Sequence, residues 1–178
     1  MTENEINQMI LRHSAGAIGG FAELYGQYNG LVRSVLYKLC ASGDLDDLVQ
    51  EAFVRIWKGL PGFQGGAQLK SWIYRVTYNL AIDHFRKKKR GPTEVELDEQ
   101  GAPSTNGESS SVDKEMVHQG LKELNDEHRS VLVFHCMEGL TVAEVADVLK
   151  IPEGTVKSRL HHAKNKMAVI LKGRNYDI

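Results

Sequence analysis

Apolar residues recur every three or four positions along most of the chain, the spacing of one face of an α-helix. In the first half, this pattern predicts a helix through Phe21–Leu39, a second over 44–60 and a third from about Gln68 to Lys88. Gly43 and Asp44 predict the first break, with Asp44 as a helix N-cap, and 61–66 predict a loop. No stretch alternates apolar and polar residues as a β-strand does, so the predicted fold class is all-α.

The second half predicts four more helices. The first two cover about 112–124 and 126–138, and Gly139 is suited to end the second. Thr141 and Glu144 form the T-x-x-E pattern of a capping box, which opens a short helix to Leu149. Pro152 fits the first turn of the last helix, because a missing N–H costs nothing there. The short helix, the tight connection and the last helix together predict a helix-turn-helix.

The two halves are separated by residues 91–112, GPTEVELDEQGAPSTNGESSSV. This segment is rich in Gly, Pro, Ser and acidic residues and poor in large apolar ones. It cannot bury enough apolar surface to offset the entropy of ordering, so the composition predicts a flexible linker. The predicted organisation is therefore two small helical domains, residues 1–90 and 113–178, joined by an acidic linker.

The charges are segregated along the chain. The whole chain has a formal net charge of −1, yet residues 91–127 contain ten acidic and only two basic residues. The remainder therefore has a net charge of +7. Five consecutive cations, Arg86 to Arg90, stand at the end of the third predicted helix. Because crowded like charges repel, this asymmetry favours a polyanionic partner.

Other sequence features exclude several classes of protein. No segment approaches the roughly 18 apolar residues of a membrane span, and the N-terminus lacks a signal-peptide pattern, so we expect a cytoplasmic protein without membrane insertion. Cys40 and Cys136 are too few for a disulfide framework. The seven His and two Cys show no ligand spacing, which disfavours an enzyme such as a metal-dependent nuclease, and no metal or cofactor is expected.

The last helix presents two different sides. Val156, Leu160, Ala163 and Met167 form the inner stripe. The outer side has short polar and cationic residues that suit base edges and phosphates in a major groove: Thr155, Lys157, Ser158, Arg159, His161 and His162. The alternative is a helical hairpin with a merely solvated basic face. A metal site at the adjacent histidines is disfavoured, because neighbouring residues point about 100° apart on a helix.

The third predicted helix combines cations with aromatic residues. Arg75, Asn79 and Arg86 lie between a core stripe and a second apolar face that includes Tyr74, Tyr78, Ala81 and Phe85. Such a mixture suits unstacked bases and backbone phosphates. An aromatic core helix that ends in a solvated basic tail explains the aromatic residues equally well.

These segments together resemble the extracytoplasmic-function (ECF) group of sigma factors of bacterial RNA polymerase. FAELYGQYNGLVRSVLYKL, DLDDLVQEAFVRIWKGL and LKSWIYRVTYNLAIDHFRKKKR match the region 2 pattern in order, and the segment from LKELNDEHRS to HHAKNKM matches region 4. The resemblance covers nearly the whole chain outside the predicted linker. It implies a non-enzymatic initiation factor that binds polymerase core, recognises promoters and promotes DNA melting.

The resemblance also implies roles for particular residues and partners. Core polymerase, through its β′ and β subunits, would be bound by Asp47, Gln50, Glu51 and Arg55. The −10 element would be bound by Arg75, Asn79, Arg86, Lys87, Lys88, Lys89 and Arg90. The −35 element would be bound by Thr155, Lys157, Ser158, Arg159, His161 and His162. The linker would pass through the basic RNA-exit channel, and an anti-sigma protein is a further partner that the resemblance allows.

Two positions depart from the family pattern. Lys150 stands where a turn glycine is usual, and it is strained if the turn requires a positive φ. His162 stands where an arginine is common, which predicts weaker or altered −35 recognition. The alternative function is a stand-alone helix-turn-helix regulator that binds duplex DNA without polymerase. That alternative leaves the DLVQEAF segment and the aromatic-basic helix unexplained.

Overall fold

The computed structural model describes residues 18–40, 44–63, 68–90 and 111–173. These residues form seven α-helices and no β-strand, which confirms the all-α prediction. The chain divides into two compact units, one of Met1–Tyr37 with Asp44–Gly91 and the other of Lys38–Gly43 with Pro92–Ile178. Except for its last two residues, the predicted linker lies outside the described residues. Among the helices described, none is long and apolar enough to cross a membrane.

The first unit is built from three long helices. They are α1 (Ile18–Cys40), whose last three residues are grouped with the second unit, α2 (Leu45–Gly59) and α3 (Leu69–Arg90). The short 3₁₀ turn Leu60–Gly62 follows α2. Its core contains the apolar positions that helical spacing selects: Leu24, Val32, Val35, Leu36, Val49, Phe53, Ile56, Ile73 and Leu80. Aromatic rings pack between α1 and α2, with ring centroids of Phe21 and Trp57 5.4 Å apart and those of Tyr25 and Phe53 4.6 Å apart.

Two details of the first unit bear on the sequence expectations. Asp44 occupies the N-cap position of α2, but its side chain makes no capping hydrogen bond; its backbone carbonyl accepts from the N–H of Leu48. Tyr74 and Ala81 are fully buried, so the second apolar face of α3 belongs largely to the core.

The second unit contains four helices. They are α4 (Ser111–Lys122), α5 (Asp126–Leu132), α6 (Val142–Leu149) and α7 (Glu153–Gly173), and α5 continues into a π-helical turn over Val133–Met137. This turn replaces the last part of the predicted helix 126–138, and the N–H of Glu138 bonds to the carbonyl of Val133. The core lies where α4, α5 and α6 pack against α7. It includes Leu121, Val131, Phe134, Val145, Val148, Val156, Leu160 and Ala163.

The caps of α5 and α6 fix where these helices begin. The Asn125 side chain accepts from the N–H of His128 at 2.8 Å. The predicted capping box is confirmed: Glu144 N–H donates to Thr141 Oγ1, and Thr141 N–H donates to Glu144 Oε2. Pro152 precedes α7 rather than lying within its first turn, and its carbonyl accepts from the N–H groups of Thr155 and Val156.

Candidate nucleic-acid and polymerase interfaces

The outer side of α7 lies at the surface in the predicted register. Lys157, Ser158, His161 and His162 are exposed, and Thr155 and Arg159 are half-buried. The opposite side packs into the core through Val156, Leu160, Ala163 and Met167. With this side anchored in the core, α7 presents a polar and cationic face of the kind that fits a DNA groove.

Contacts from α5 reach the edge of this face. Glu127 Oε1 lies 2.8 Å from Arg159 Nη2, and the rings of His128 and His162 are stacked with centroids 6.2 Å apart. Burial lowers the pKa of His128, and the nearby His162 and Lys166 side chains lower it further. Two residues of α5, which the sequence did not single out, therefore belong to the site. The sequence gave no signal of this contact, because the spacing of residues along α7 does not show which residues of α5 lie beside it.

The turn between α6 and α7 passes through Lys150 in the left-handed region, with φ 56° and ψ 46°. The sequence analysis predicted strain at Lys150 if the turn requires a positive φ, and the φ is positive. The Lys150 ammonium lies 2.7 Å from a carboxylate oxygen of Asp147.

The two adjacent histidines are used in different ways. The ring nitrogen Nε2 of His161 lies 3.1 Å from the side-chain nitrogen of Asn165, whereas His162 stacks on His128. Within the part of the chain that the structure describes, no three His, Cys, Asp or Glu side chains are arranged to hold a metal ion. Both histidine side chains are exposed, so a partner can reach them.

Helix α3 presents part of its predicted DNA face. Asn79, Arg86 and Lys87 are exposed and Arg75 is half-buried, while the side chains of residues 88–90 are not described. Of the aromatic residues, Tyr78 and Phe85 are half-buried. The surface therefore offers an amide and cations beside partly accessible rings.

The acidic face of α2 separates into two kinds of residue. Asp47 and Gln50 are exposed. Arg55 instead bridges two half-buried carboxylates, with Nη2 2.7 Å from Glu51 and Nη1 2.7 Å from Asp83 on α3. The hydrogen bond to Asp83 is the main cause that raises the pKa of Arg55. Arg55 thus ties α2 to α3 through Asp83, and Glu51 pairs with Arg55 within α2. Asp47 and Gln50 are the more accessible contacts for a partner.

Comparison with known proteins identifies both halves of the chain. Residues 24–91 match the sigma-70 region 2 family, and residues 114–167 match the sigma-70 region 4 family. The ECF RNA polymerase sigma factor SigW of Bacillus subtilis is 28% identical, over 93% of this chain and 96% of the relative. The ECF RNA polymerase sigma-E factor of Escherichia coli K12 is 27% identical, over 92% of this chain and 93% of the relative.

Solved structures show the same fold. RpoE of Bartonella quintana, solved with the anti-sigma factor NepR, gives a TM-score of 0.73 at 21% identity over 87% of this chain and 98% of the other. CnrH, solved with the cytosolic domain of CnrY, gives 0.69 at 21% identity over 95% of this chain and 98% of the other. The chain therefore belongs to the ECF group of the sigma-70 family, whose members act with RNA polymerase in transcription initiation and are not enzymes.

Proposed function

We propose that this sigma factor brings RNA polymerase core to promoters by reading two DNA elements with its two units. The observation that carries the proposal is the face of α7, where Lys157, Ser158 and His161 stand exposed on a helix anchored by its opposite side. In a helix-turn-helix, such a face enters the major groove and contacts base edges. We assign the −35 element to this face of α7, with Thr155, Arg159 and His162 at the edges of the face.

The first unit takes the −10 element and the polymerase. Asn79 offers both a donor and an acceptor to an unstacked base, and Arg86 and Lys87 offer positive charge to the phosphates of a melted strand. Asp47 and Gln50 of α2 bind the core polymerase, with the β′ subunit as the contact that the family resemblance implies. A role at the polymerase places the protein in the cytoplasm.

An anti-sigma protein is the regulator that suits this fold. The RpoE structure contains a sigma factor bound to the anti-sigma factor NepR, and the CnrH structure contains CnrH bound to the cytosolic domain of CnrY. We extend this regulation to the present chain as part of the proposal. Pull-down with the full chain from cells that carry its neighbouring genes tests this extension. The expected result is a stoichiometric partner that blocks binding of the chain to polymerase core.

Transcription with purified polymerase core across a genomic library tests the main proposal. We expect new transcripts that depend on the chain and share two upstream elements. Tight sequence-specific duplex binding by the free chain, without added transcripts, would favour a stand-alone regulator. Nuclease products in the same assay without core would contradict an initiation factor altogether.

A further inference from the structure

One flank of α7 is cationic and lies beside the first turn of α5. Arg159, His162 and Lys166 are spaced by three and four residues, so they share this flank. Glu127 and His128, adjacent in α5, contact Arg159 and His162 respectively. The electrostatic environment of His128 includes the charges of Lys166, Arg159 and Glu127. Glu127 thus places a carboxylate among groups that would otherwise attract phosphate.

The ion pair between Glu127 and Arg159 has little to contribute to the fold. The Glu127 side chain is 63% exposed, and exposed pairs stabilise proteins by roughly 0–1 kcal/mol. It nevertheless acts on a ligand, because the guanidinium fork that holds a carboxylate is the same fork that binds a phosphate. A DNA phosphate must therefore compete with Glu127 for Arg159.

We propose that Glu127 is a positioning residue that limits the affinity of α7 for duplex DNA by occupying Arg159. The proposal rests on the proposed function, since it requires α7 to meet DNA. Phosphate contacts add affinity for any sequence and make binding dependent on salt. Restraining Arg159 therefore keeps the free protein from binding DNA at random, and leaves the base-reading side chains such as Lys157 unchanged.

The test measures binding of the full chain to a short labelled duplex of mixed sequence by fluorescence anisotropy. The variants are Glu127→Gln, Arg159→Gln and the double variant. Glu115→Gln is the matched control, because it removes the same charge from an exposed residue of α4 in the same unit. Helical circular dichroism checks that each variant is folded.

The expected result is a steeper salt dependence in Glu127→Gln. One added phosphate contact increases the slope by about 0.9, so lowering the salt from about 200 to about 50 mM should tighten this variant about 3.5-fold more than the parent. Glu115→Gln should keep the parent slope. In the Arg159→Gln background, Glu127→Gln should have no further effect on the slope.

Three results would overturn the inference. They are an unchanged slope in Glu127→Gln, a loss of affinity in that variant, or an equal gain in Glu115→Gln. A Lys157→Ala variant separates this failure from failure of the proposed function. If Lys157→Ala lowers affinity while Glu127→Gln behaves as the parent, only the inference fails. If Lys157→Ala also binds as the parent at every salt concentration, α7 is not a DNA-binding surface and both fail.

Discussion

Among the residues that the structure describes, Lys150 is the one residue other than glycine with a positive φ. It lies in the sharp turn of the helix-turn-helix. In the left-handed region the Cβ atom approaches the following carbonyl, which costs roughly 1–2 kcal/mol in residues other than glycine. Its ion pair with Asp147 is largely exposed and offsets little of this cost. The packing of α6 and α7 therefore holds Lys150 in a backbone conformation that is unfavourable for a residue other than glycine.

Lys150→Gly should stabilise the second unit by about 1 kcal/mol, because glycine adopts this conformation without strain. Thermal unfolding followed by helical circular dichroism measures the gain. Lys150→Ala is the control, since it removes the ion pair but keeps the Cβ atom. An equal gain in both variants would mean that the charge of Lys150, rather than its backbone conformation, is unfavourable.

His118 on α4 is a buried titratable group, only 6% exposed. Burial is the main cause that lowers its pKa to about 4, and the positive charges of Lys122 and Arg129 lower it further. The unfolded chain binds a proton at this residue near the ordinary value of 6.5, whereas the folded chain does not until about pH 4. Protons therefore favour the unfolded state, and stability falls as the pH drops from 6.5 towards 4.

Lowering the pH from about 7 to about 5 should cost the second unit roughly 2 kcal/mol through His118, and His118→Leu should remove this part of the loss. Urea unfolding at both pH values measures it. Both tryptophans of the chain, Trp57 and Trp72, belong to the first unit, so their fluorescence follows that unit alone, while circular dichroism follows both. The same pH dependence in parent and variant would assign the loss to other groups.

At this scale the sequence predicts local interactions well and distant ones poorly. The capping box at Thr141 and the turn at Lys150 are visible in the sequence because their partners lie within a few residues. Arg129 gave no such signal. It is buried and donates to the carbonyls of Leu121 and Leu124 at 2.7 Å, which satisfies the end of α4. It also donates to the carbonyl of Leu39, 90 residues away along the chain, and only folding brings these two groups together.

At the scale of single helices, the charged residues of α2 have different roles. Arg55 is fully engaged by Glu51 and Asp83, and Asp46 is paired with Arg33 of α1. Asp47 is exposed beside them. A carboxylate without a competing internal cation keeps its full charge for a partner, whereas a paired one must first be released.

Asp47→Asn should therefore weaken binding of polymerase core by about fivefold, which corresponds to roughly 1 kcal/mol. Asp46→Asn is a matched control, because it removes the same charge from the neighbouring position. Pull-down titration of core with the full chain measures both. A larger effect of Asp46→Asn would show that the pair with Arg33, or the fold that it supports, matters more than an exposed carboxylate.

Helix α3 leads to a separate prediction for DNA melting. Asn79 is exposed between the buried Leu80 and the half-buried Tyr78, so its amide faces outward. Asn79→Ala should lower the yield of open complexes about tenfold while closed complexes form normally, because one well-placed base contact is worth roughly 1–3 kcal/mol. Permanganate footprinting on duplex and pre-melted templates measures this. Equal binding of parent and variant to pre-melted DNA would exclude Asn79 as a base contact.

Helical periodicity predicts the elements themselves, and the order of the helices follows from it. It fails where the period changes. The π-helical turn Val133–Met137 has wider spacing than an α-helix, and its apolar residues Val133 and Phe134 fit either geometry. The aromatic face of α3 allowed two interpretations, base contact or core, because the pattern could not show that Tyr74 is covered by neighbouring helices.

In the whole molecule, two basic ends of the chain flank an acidic middle. Residues 91–127 hold ten of the 23 acidic residues and only two of the 22 basic ones. Both modules are small, and docking them on one large partner raises the effective concentration of each at the DNA. The sequence predicted the two modules and their order, which the family matches confirm. We expect the charge of the middle segment to affect how the modules reach DNA.

Replacing residues 94–108 by a neutral Gly/Ser segment of equal length should reduce initiation about twofold to threefold, and a segment with Lys in place of its acidic residues should reduce it at least about tenfold. The neutral segment loses attraction to a basic channel of the polymerase. The basic segment is repelled by that channel and adds phosphate contacts that hold the free protein on random DNA. Multiple-round transcription with purified core, at several salt concentrations, measures both variants against the parent. Raising the salt should restore much of the activity of the basic variant, because screening weakens both effects. Equal activity of the neutral and basic variants would reject an electrostatic role for this segment.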